Sequence, residues 1–439
     1  VRTIAIISDD LTGAADTGIQ FVYAGLKALV LLDPQAGALP QADVIVGVTE
    51  SRHDAPELAR TKVTEWARLL ADCQPGEVYK KIDSTLRGNL GAELDATLLQ
   101  FPGRLAVFAP AFPAAGRTTL GGRHYMHGMP LEETEVARDP TTPVRDSHIT
   151  RLLATQTDRR MGKITLAALE AGTDTLARVL RSHVAAGTEI LISDACTDDH
   201  LAALVAGVRA LGLPVIWTGS AGLARQLAQA RPNPRTAGHS TPPDATQPAG
   251  QPMLTIAGSV SGTLRRQINH YCATTGAACI TADSDALTGP MAIANAEVAR
   301  VAAEALCHLQ SGRSTVITTS IVPGAMQNPG PAMVQTARTI SDRLGSVARR
   351  ILTEGWSGPL VLSGGDTALA VCRLLGATAI RLRTEPLPGL ALGTLVGGPY
   401  EDLTVITKAG SFGEEDVLCQ ISSRLSPSAW ATRPVSAQK

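Results

Sequence analysis

The chain has 439 residues, more than one ordinary hydrophobic core accommodates, so two or three domains are expected. A formal net charge of −1 argues against a general nucleic-acid or acidic-membrane binder, and 3% aromatics leaves few rings for base stacking. Hydrophobic residues at 44%, no apolar run of membrane-spanning length, no leader-like start, and seven scattered cysteines without a Cys-x-x-Cys pair read as a cytoplasmic enzyme with free thiols.

The run Thr3–Ile7 predicts a buried strand that stops at Asp9 and Asp10, with a helix over Gly13–Ala24. Chemistry in open α/β sheets gathers outside the carboxyl ends of strands. Two adjacent carboxylates repel unless a cation, an arginine or polar donors compensate them. One of them can cap the following helix, which leaves the other unexplained. The next strands are expected at Leu29–Leu32, Val44–Val48, Val78–Lys81, Leu105–Ala109, Glu189–Ser193 and Val215–Trp217. Helices are expected between them over Ala55–Asp72, Gly91–Leu99 and Ala171–Ala186.

Residues 231–252 read RPNPRTAGHSTPPDATQPAGQP, which cannot bury a core and suits a semi-extended linker. Beyond it, short strands are expected at Met253–Ala257, Ala278–Thr281, Thr315–Thr319, Leu360–Leu362, Ala379–Leu382 and Thr404–Ile406. Helical patterns cover Asn295–Ser311, Ala332–Glu354 and Thr367–Leu375. The expected fold is therefore two α/β domains with mostly parallel sheets, 1–230 and 253–439, joined by a Pro-rich linker at 231–252.

Three more strand ends in the first half carry polar groups. They are Thr49-Glu50-Ser51-Arg52, then Lys80-Lys81-Ile82-Asp83-Ser84-Thr85-Leu86-Arg87, then the rigid loop Pro110–Thr119. Parallel strands would bring these ends to one edge. Arginine and lysine there suit a carboxylate, and Asp, Ser and Thr suit sugar-like hydroxyls. Each segment also has a bland reading as a turn, a cap or a surface charge. His124 and His127 lack a third clustered ligand, so no zinc site is expected and any metal ligands stay unassigned.

In the second half three glycine loops each follow a strand: Gly258-Ser259-Val260-Ser261-Gly262, Gly364-Gly365-Asp366-Thr367, and Lys408-Ala409-Gly410-Ser411-Phe412-Gly413. Such loops let backbone N–H groups approach an anion at a helix N-terminus. Lys408 would add a charge beside a phosphate, and Asp366 would bind Mg²⁺ directly or through water. Gly393–Pro399 either lines the same pocket or makes a turn. Neither a Walker A pattern nor a G-x-G-x-x-G fingerprint is present.

Taken as a set, ISDDLTGAADT, KKIDSTLRGN, PAFPAAGRTT, SGGDTA and TKAGSFG resemble the four-carbon acid sugar kinases, in family order from Ser8 to Gly413. The resemblance implies an N-terminal domain binding the acid sugar and a C-terminal domain binding ATP. It implies that Asp9 or Asp10, Arg52, and Lys81, Ile82, Asp83 and Ser84 contact the substrate. It also implies that Ser259, Gly364, Gly365, Asp366, Thr367 and Gly410 contact ATP. Family members phosphorylate the 4-hydroxyl of D-threonate, D-erythronate or 3-oxo-tetronates, and KKIDSTLRGN is more similar to the threonate and erythronate branch. On that reading Arg52 and Lys81 hold the carboxylate, and Asp9, Asp10 or Asp83 orients or deprotonates the terminal hydroxyl. Mg²⁺ and the glycine loops hold the phosphates, and domain closure excludes water.

The expected partners are thus a small sugar acid and ATP, without nucleic acid or membrane, and the oligomeric state is open, with a homodimer one option. Three rival classes are weighed against this. A dehalogenase-like phosphatase needs Asp-x-Asp, whereas these acids are adjacent. A non-catalytic sugar-acid sensor would have no use for three anion loops. A dehydrogenase would need a dinucleotide fingerprint.

Overall fold

The computed structural model describes residues 3–34, 39–139, 141–231, 251–258, 261–320, 331–410 and 412–425, so most of the predicted linker and Ser259 lie outside the described residues. The chain divides into two compact units, Val1–Gly238 and His239–Lys439.

The first unit contains β1 (Ile4–Ser8), β2 (Ala28–Leu31), β3 (Val44–Val48), β4 (Glu77–Lys81), β5 (Leu105–Ala109), β6 (Arg117–Leu120), β7 (Arg123–Met126), β8 (Met129–Pro130), β9 (Met161–Ile164), β10 (Ile190–Ser193) and β11 (Val215–Gly219). Its main helices are α1 (Leu11–Tyr23), α2 (Pro56–Ala71) and α3 (Leu90–Gln100). Eight strands align in the order β2-β3-β1-β4-β11-β5-β10-β9, every pair parallel. β6, β7 and β8 form a separate antiparallel sheet.

Strand β1 is apolar from Ile4 to Ile7 and buried along its whole length, as a central parallel strand covered on both faces requires. Helix α2 shields the neighbouring β3 so closely that a Cβ on Gly47 would lie 2.4 Å from the Trp66 ring. Glycine at 47 is therefore what lets this helix seat on the sheet. Because β1 pairs with β3 on one side and β4 on the other, the chain leaves β1 at a switch point of the strand order. That is where an open α/β sheet forms a crevice.

The second unit contains β12 (Leu254–Ala257), β13 (Ala278–Ala282), β14 (Thr315–Thr319), β15 (Leu360–Ser363), β16 (Ala379–Leu387), β17 (Leu390–Val396) and β18 (Thr404–Lys408). The order β13-β14-β12-β15-β18 is parallel, and β17 then pairs antiparallel with β18 and β16 with β17. The fold is thus α/β with mostly parallel sheets. Ala379–Leu382, expected as a short strand, continues to Leu387 and turns back at Gly389, whose φ of 76° a side chain would resist. Gly393 and Thr394 belong to β17, while Gly397 and Gly398 form a turn packed on Thr378 and Gly376.

Candidate active site

Helix α1 begins at Asp10, whose extended backbone (φ −146°, ψ 162°) and carboxylate cap it, Oδ1 accepting from the Gly13 N–H at 2.8 Å. The second carboxylate is explained by Arg52. Its Nε donates to Asp9 Oδ2 at 2.7 Å and its Nη1 to Asp10 Oδ2 at 2.8 Å, so one guanidinium neutralises both acids. Arg52 reaches them because the loop after β3 is tied to that after β1: Thr49 N–H donates to Ser8 O at 2.9 Å and Ser51 N–H to Asp9 O at 3.1 Å. Asn89 completes the frame, its Nδ2 donating to Ser51 O and Asp54 O at 3.0 and 2.9 Å.

Asp9 is buried, which pushes its pKa up. The charges of Arg52, Lys80 and Lys81 outweigh that and hold it below the ordinary carboxylate value. Its Oδ1 is buried without a hydrogen-bond partner among the described residues.

Successive residues of a strand face opposite ways, and the Lys80-Lys81 doublet divides its work accordingly. Lys80 Nζ is fully buried and meets Glu93 Oε2 at 2.7 Å, while Ser51 Oγ donates to Glu93 Oε1 at 2.7 Å. Burial pushes the Glu93 carboxyl up, with Lys80 opposing and Asp9 adding to it. Lys81 has no ion pair among the described residues. Its Nζ donates to Ile82 O at 2.8 Å and lies beside Gly13, where a Cβ would come within 2.7 Å of it. Two ammonium hydrogens remain for a ligand.

Ile82 is buried, and its N–H donates to Gly219 O at 3.1 Å, locking β4 to β11. Asp83 is enclosed by its own neighbours. Oδ2 accepts from Thr85 Oγ1 at 2.5 Å and Arg87 Nε at 2.7 Å, and Oδ1 accepts from Arg87 Nη2 at 3.1 Å. Burial pushes Asp83 up, but Arg87 and Arg52 hold it well below the ordinary carboxylate range. Ser84 is half-buried, and its carbonyl meets His124 Nε2 at 2.9 Å. His124 also bonds Thr119 at 2.9 Å through Nδ1, and burial, chiefly, pushes its pKa down to about 4. It is a neutral structural bridge. Glu50 and Leu86 flank this cluster at φ of 51° and 64°, strain of the kind found at ligand-holding loops.

In the second unit the three glycine loops follow β12, β15 and β18, adjacent parallel strands, so they meet at one edge. Gly258 abuts Thr367 so tightly that a Cβ there would lie 2.1 Å from Thr367 Oγ1. Gly364 holds φ at 105°, its N–H donates to Lys408 O at 2.9 Å, and the helix Gly365–Leu374 starts there with Asp366 exposed in its first turn. Ser261 Oγ donates to Gly410 O at 3.0 Å, joining the first loop to the third. Lys408 is buried with its Nζ on Ala409 O and Gly410 O at 2.9 and 3.3 Å, and burial pushes its pKa down to about 7. Ser363 Oγ and Thr407 Oγ1 are buried here without hydrogen-bond partners among the described residues. A helix start, hydroxyls without partners and a lysine lacking a counter-ion, all among the described residues, fit a nucleotide's phosphates.

Reasoning from sequence placed Lys80 and Ser51 among the polar strand ends without giving them a role, and missed Glu93. The signal for Glu93 was a carboxylate on the apolar face of LGAELDATLL, and for Lys80 a lysine pair inside an apolar strand.

Two family models match the chain, a sugar-binding N-terminal domain over residues 4–227 and a nucleotide-binding C-terminal domain over residues 254–418. A D-erythronate kinase from Heliobacterium modesticaldum is 35% identical over 95% of this chain and 96% of its own. A D-threonate kinase from Salmonella typhimurium is 34% identical over 94% and 96%. A 3-oxo-tetronate kinase from Methylobacterium radiotolerans is 29% identical over 94% and 97%. Among solved structures, a Salmonella typhimurium protein described as a putative tRNA synthase superposes with a TM-score of 0.78 over 95% of this chain and 98% of that one. At 23% identity that likeness speaks for the fold alone. With a sugar-binding and a nucleotide-binding domain in tandem, and kinases matched over nearly its whole length, the chain belongs to the four-carbon acid sugar kinases and is a carbohydrate-acid kinase.

Proposed function

We propose that the protein transfers the γ-phosphoryl group of ATP, with Mg²⁺, to the 4-hydroxyl of D-threonate. The observation that carries this reading is the cluster at the ends of β1 and β4. There the Asp10 carboxylate and the Lys81 ammonium, which has two donors to spare, both flank Gly13, and Ser84 stands in the loop that follows β4. Acid, cation and hydroxyl together match a small polyhydroxy acid. The D-threonate kinases among the relatives support the choice of substrate.

Asp9 and Asp83 are held ionised by buried cations, which makes them weak bases. Asp10 is the most exposed of the three acids, with 17% of its side chain accessible against 3% for Asp9 and 10% for Asp83, and is the carboxylate assigned to orient the acceptor hydroxyl and take its proton. Arg52 fixes that carboxylate, and Lys81 and Ser84 contact the sugar acid. Bound Mg-ATP supplies the phosphoryl group and the metal's charge neutralisation. Gly364, Gly365, Thr367 and Gly410 would cradle its phosphates, Asp366 would face the metal, and Lys408 would approach the phosphates as a point charge. Ser259 would belong to the same cradle by its place in the first loop.

Coupled ADP release with Mg-ATP over D-threonate, L-threonate, D-erythronate and L-erythronate tests this. D-threonate is expected to give the highest kcat/KM, above about 10⁴ M⁻¹s⁻¹. A higher value for D-erythronate would reassign the substrate to the second reading, which the D-erythronate kinase among the relatives favours.

A further inference from the structure

Three arginines stand at the polar edge of the first unit, and the protein uses them differently. Arg87 commits Nε and Nη2 to Asp83 and Nη1 to Asp139. Arg52 commits Nε to Asp9 and Nη1 to Asp10. Both have therefore given up the side-on fork with which a guanidinium grips a carboxylate.

Arg117 has not. It opens β6, directly after the loop that leaves β5. The only hydrogen bond its side chain makes among the described residues runs from Nη1 to Ala115 O, and it has no ion pair among them. Its Nε is buried with no acceptor among the described residues, and burial, the largest influence, lowers the guanidinium's pKa although Asp83 and Glu135 oppose that. A buried guanidinium N–H without a partner is costly, and such an atom points to a ligand that completes it.

The backbone fixes the position of Arg117 firmly. Phe112 and Arg117 exchange both backbone hydrogen bonds, at 2.9 and 3.0 Å, across the short turn Pro113–Ala115. Gly116 turns the chain at φ 71°, and a Cβ there would lie 2.4 Å from His127 Nδ1. Thr119, two residues further along β6 and so on the same face as Arg117, bonds the His124 ring, which also holds the Ser84 carbonyl. Arg117 therefore belongs to the same cluster as the Asp83-Ser84 loop.

We propose that Arg117 is the residue that grips the substrate's carboxylate, through its Nε–Nη2 edge, and so selects acids over neutral polyols. This rests on the acid-sugar reading above and revises the parts expected of Arg52, which holds the two aspartates, and of Lys81. Asp10 and Lys81 would then meet the hydroxyl end, and the carboxylate would be bound alike in the ground and transition states.

The test compares turnover of the preferred tetronate with that of its neutral primary amide. In Arg117→Gln the KM for the acid should rise about a hundredfold or more, with kcat changed far less, because a charge-assisted fork remote from the reacting hydroxyl is lost. The wild type's preference for acid over amide should fall to within about tenfold, while the KM for ATP stays put. Arg117→Lys, which keeps the charge but not the fork, should lose about tenfold and retain the preference. It also serves if the glutamine variant folds poorly. A variant that weakens acid and amide equally, or leaves both unchanged, overturns the assignment of Arg117. A wild-type enzyme that phosphorylates none of the tetronates would overturn the acid-sugar reading itself, and this inference with it.

Discussion

Gly13 occupies the third position of α1, where alanine would ordinarily be welcome. Replacing glycine by alanine within a helix stabilises by about 1 kcal/mol. Here the added methyl would stand 2.5 Å from Asp10 Oδ1 and 2.7 Å from Lys81 Nζ, with Ser8 Oγ at 3.3 Å. Comfortable contact needs about 3.5 Å, so the carboxylate and the ammonium must each retreat by about an ångström. The retreat breaks the cap between Asp10 and the Gly13 N–H, which costs about 1 kcal/mol. Gain and loss nearly cancel, so Gly13→Ala should shift the melting midpoint by no more than about 3 °C. Activity should not be spared. The two displaced groups are those assigned to the acceptor hydroxyl, and an ångström of misplacement costs about a hundredfold in kcat/KM. The assay pairs thermal melting with ADP release at saturating ATP. A variant within threefold of wild-type activity would remove Asp10 and Lys81 from the site, and a midpoint lowered by more than about 10 °C would refute the cancellation.

Lys80→Met should destabilise the protein by about 3–5 kcal/mol, because it leaves Glu93 buried without its counter-ion. Combining it with Glu93→Leu should return most of that, and a double-mutant cycle in denaturant reads the coupling. If the two single losses simply add, the pair is not coupled as described. Lys408 gives a pH signature. Below pH about 7 both folded and unfolded chains carry its proton, whereas between about 7 and the ordinary lysine value of 10.5 only the unfolded chain does. Its contribution to stability therefore rises with pH across that window. Incoming phosphates should restore the proton, so ATP binding at a pH of about 8.5 should take up nearly one proton and far less at a pH of about 6. Calorimetry in buffers of different ionisation enthalpy measures this, and uptake that persists in Lys408→Met would refute it.

Much of this arrangement is legible in the sequence, and the exceptions share a cause. Strands such as Ile4–Ser8 and Val44–Val48 announce themselves because a buried parallel strand is a continuous apolar run. The strands Arg117–Leu120, Arg123–Met126 and Met161–Ile164 do not, since polar and glycine-rich residues give them no such run. The doublet Asp9-Asp10 marked a strand end in need of compensation, and its compensating cation was foreseen in kind. That Arg52 is that cation is a matter of tertiary folding, because the residues lie 42 and 43 apart in the chain. Asp83 read as a candidate base, whereas Arg87, four residues on, claims both its oxygens. The spare fork of Arg117 was invisible for the opposite reason: lacking a partner is a property only the folded structure reveals.

The central claim is that phosphate passes from ATP to the terminal hydroxyl of a four-carbon acid whose carboxylate stays untouched. The measurement that tests it most directly is NMR of the product formed from D-threonate and Mg-ATP. Phosphorus coupled to the two protons on C4 is the predicted result. Phosphorus coupled to the C2 or C3 proton, or an acyl phosphate at C1, would contradict the account.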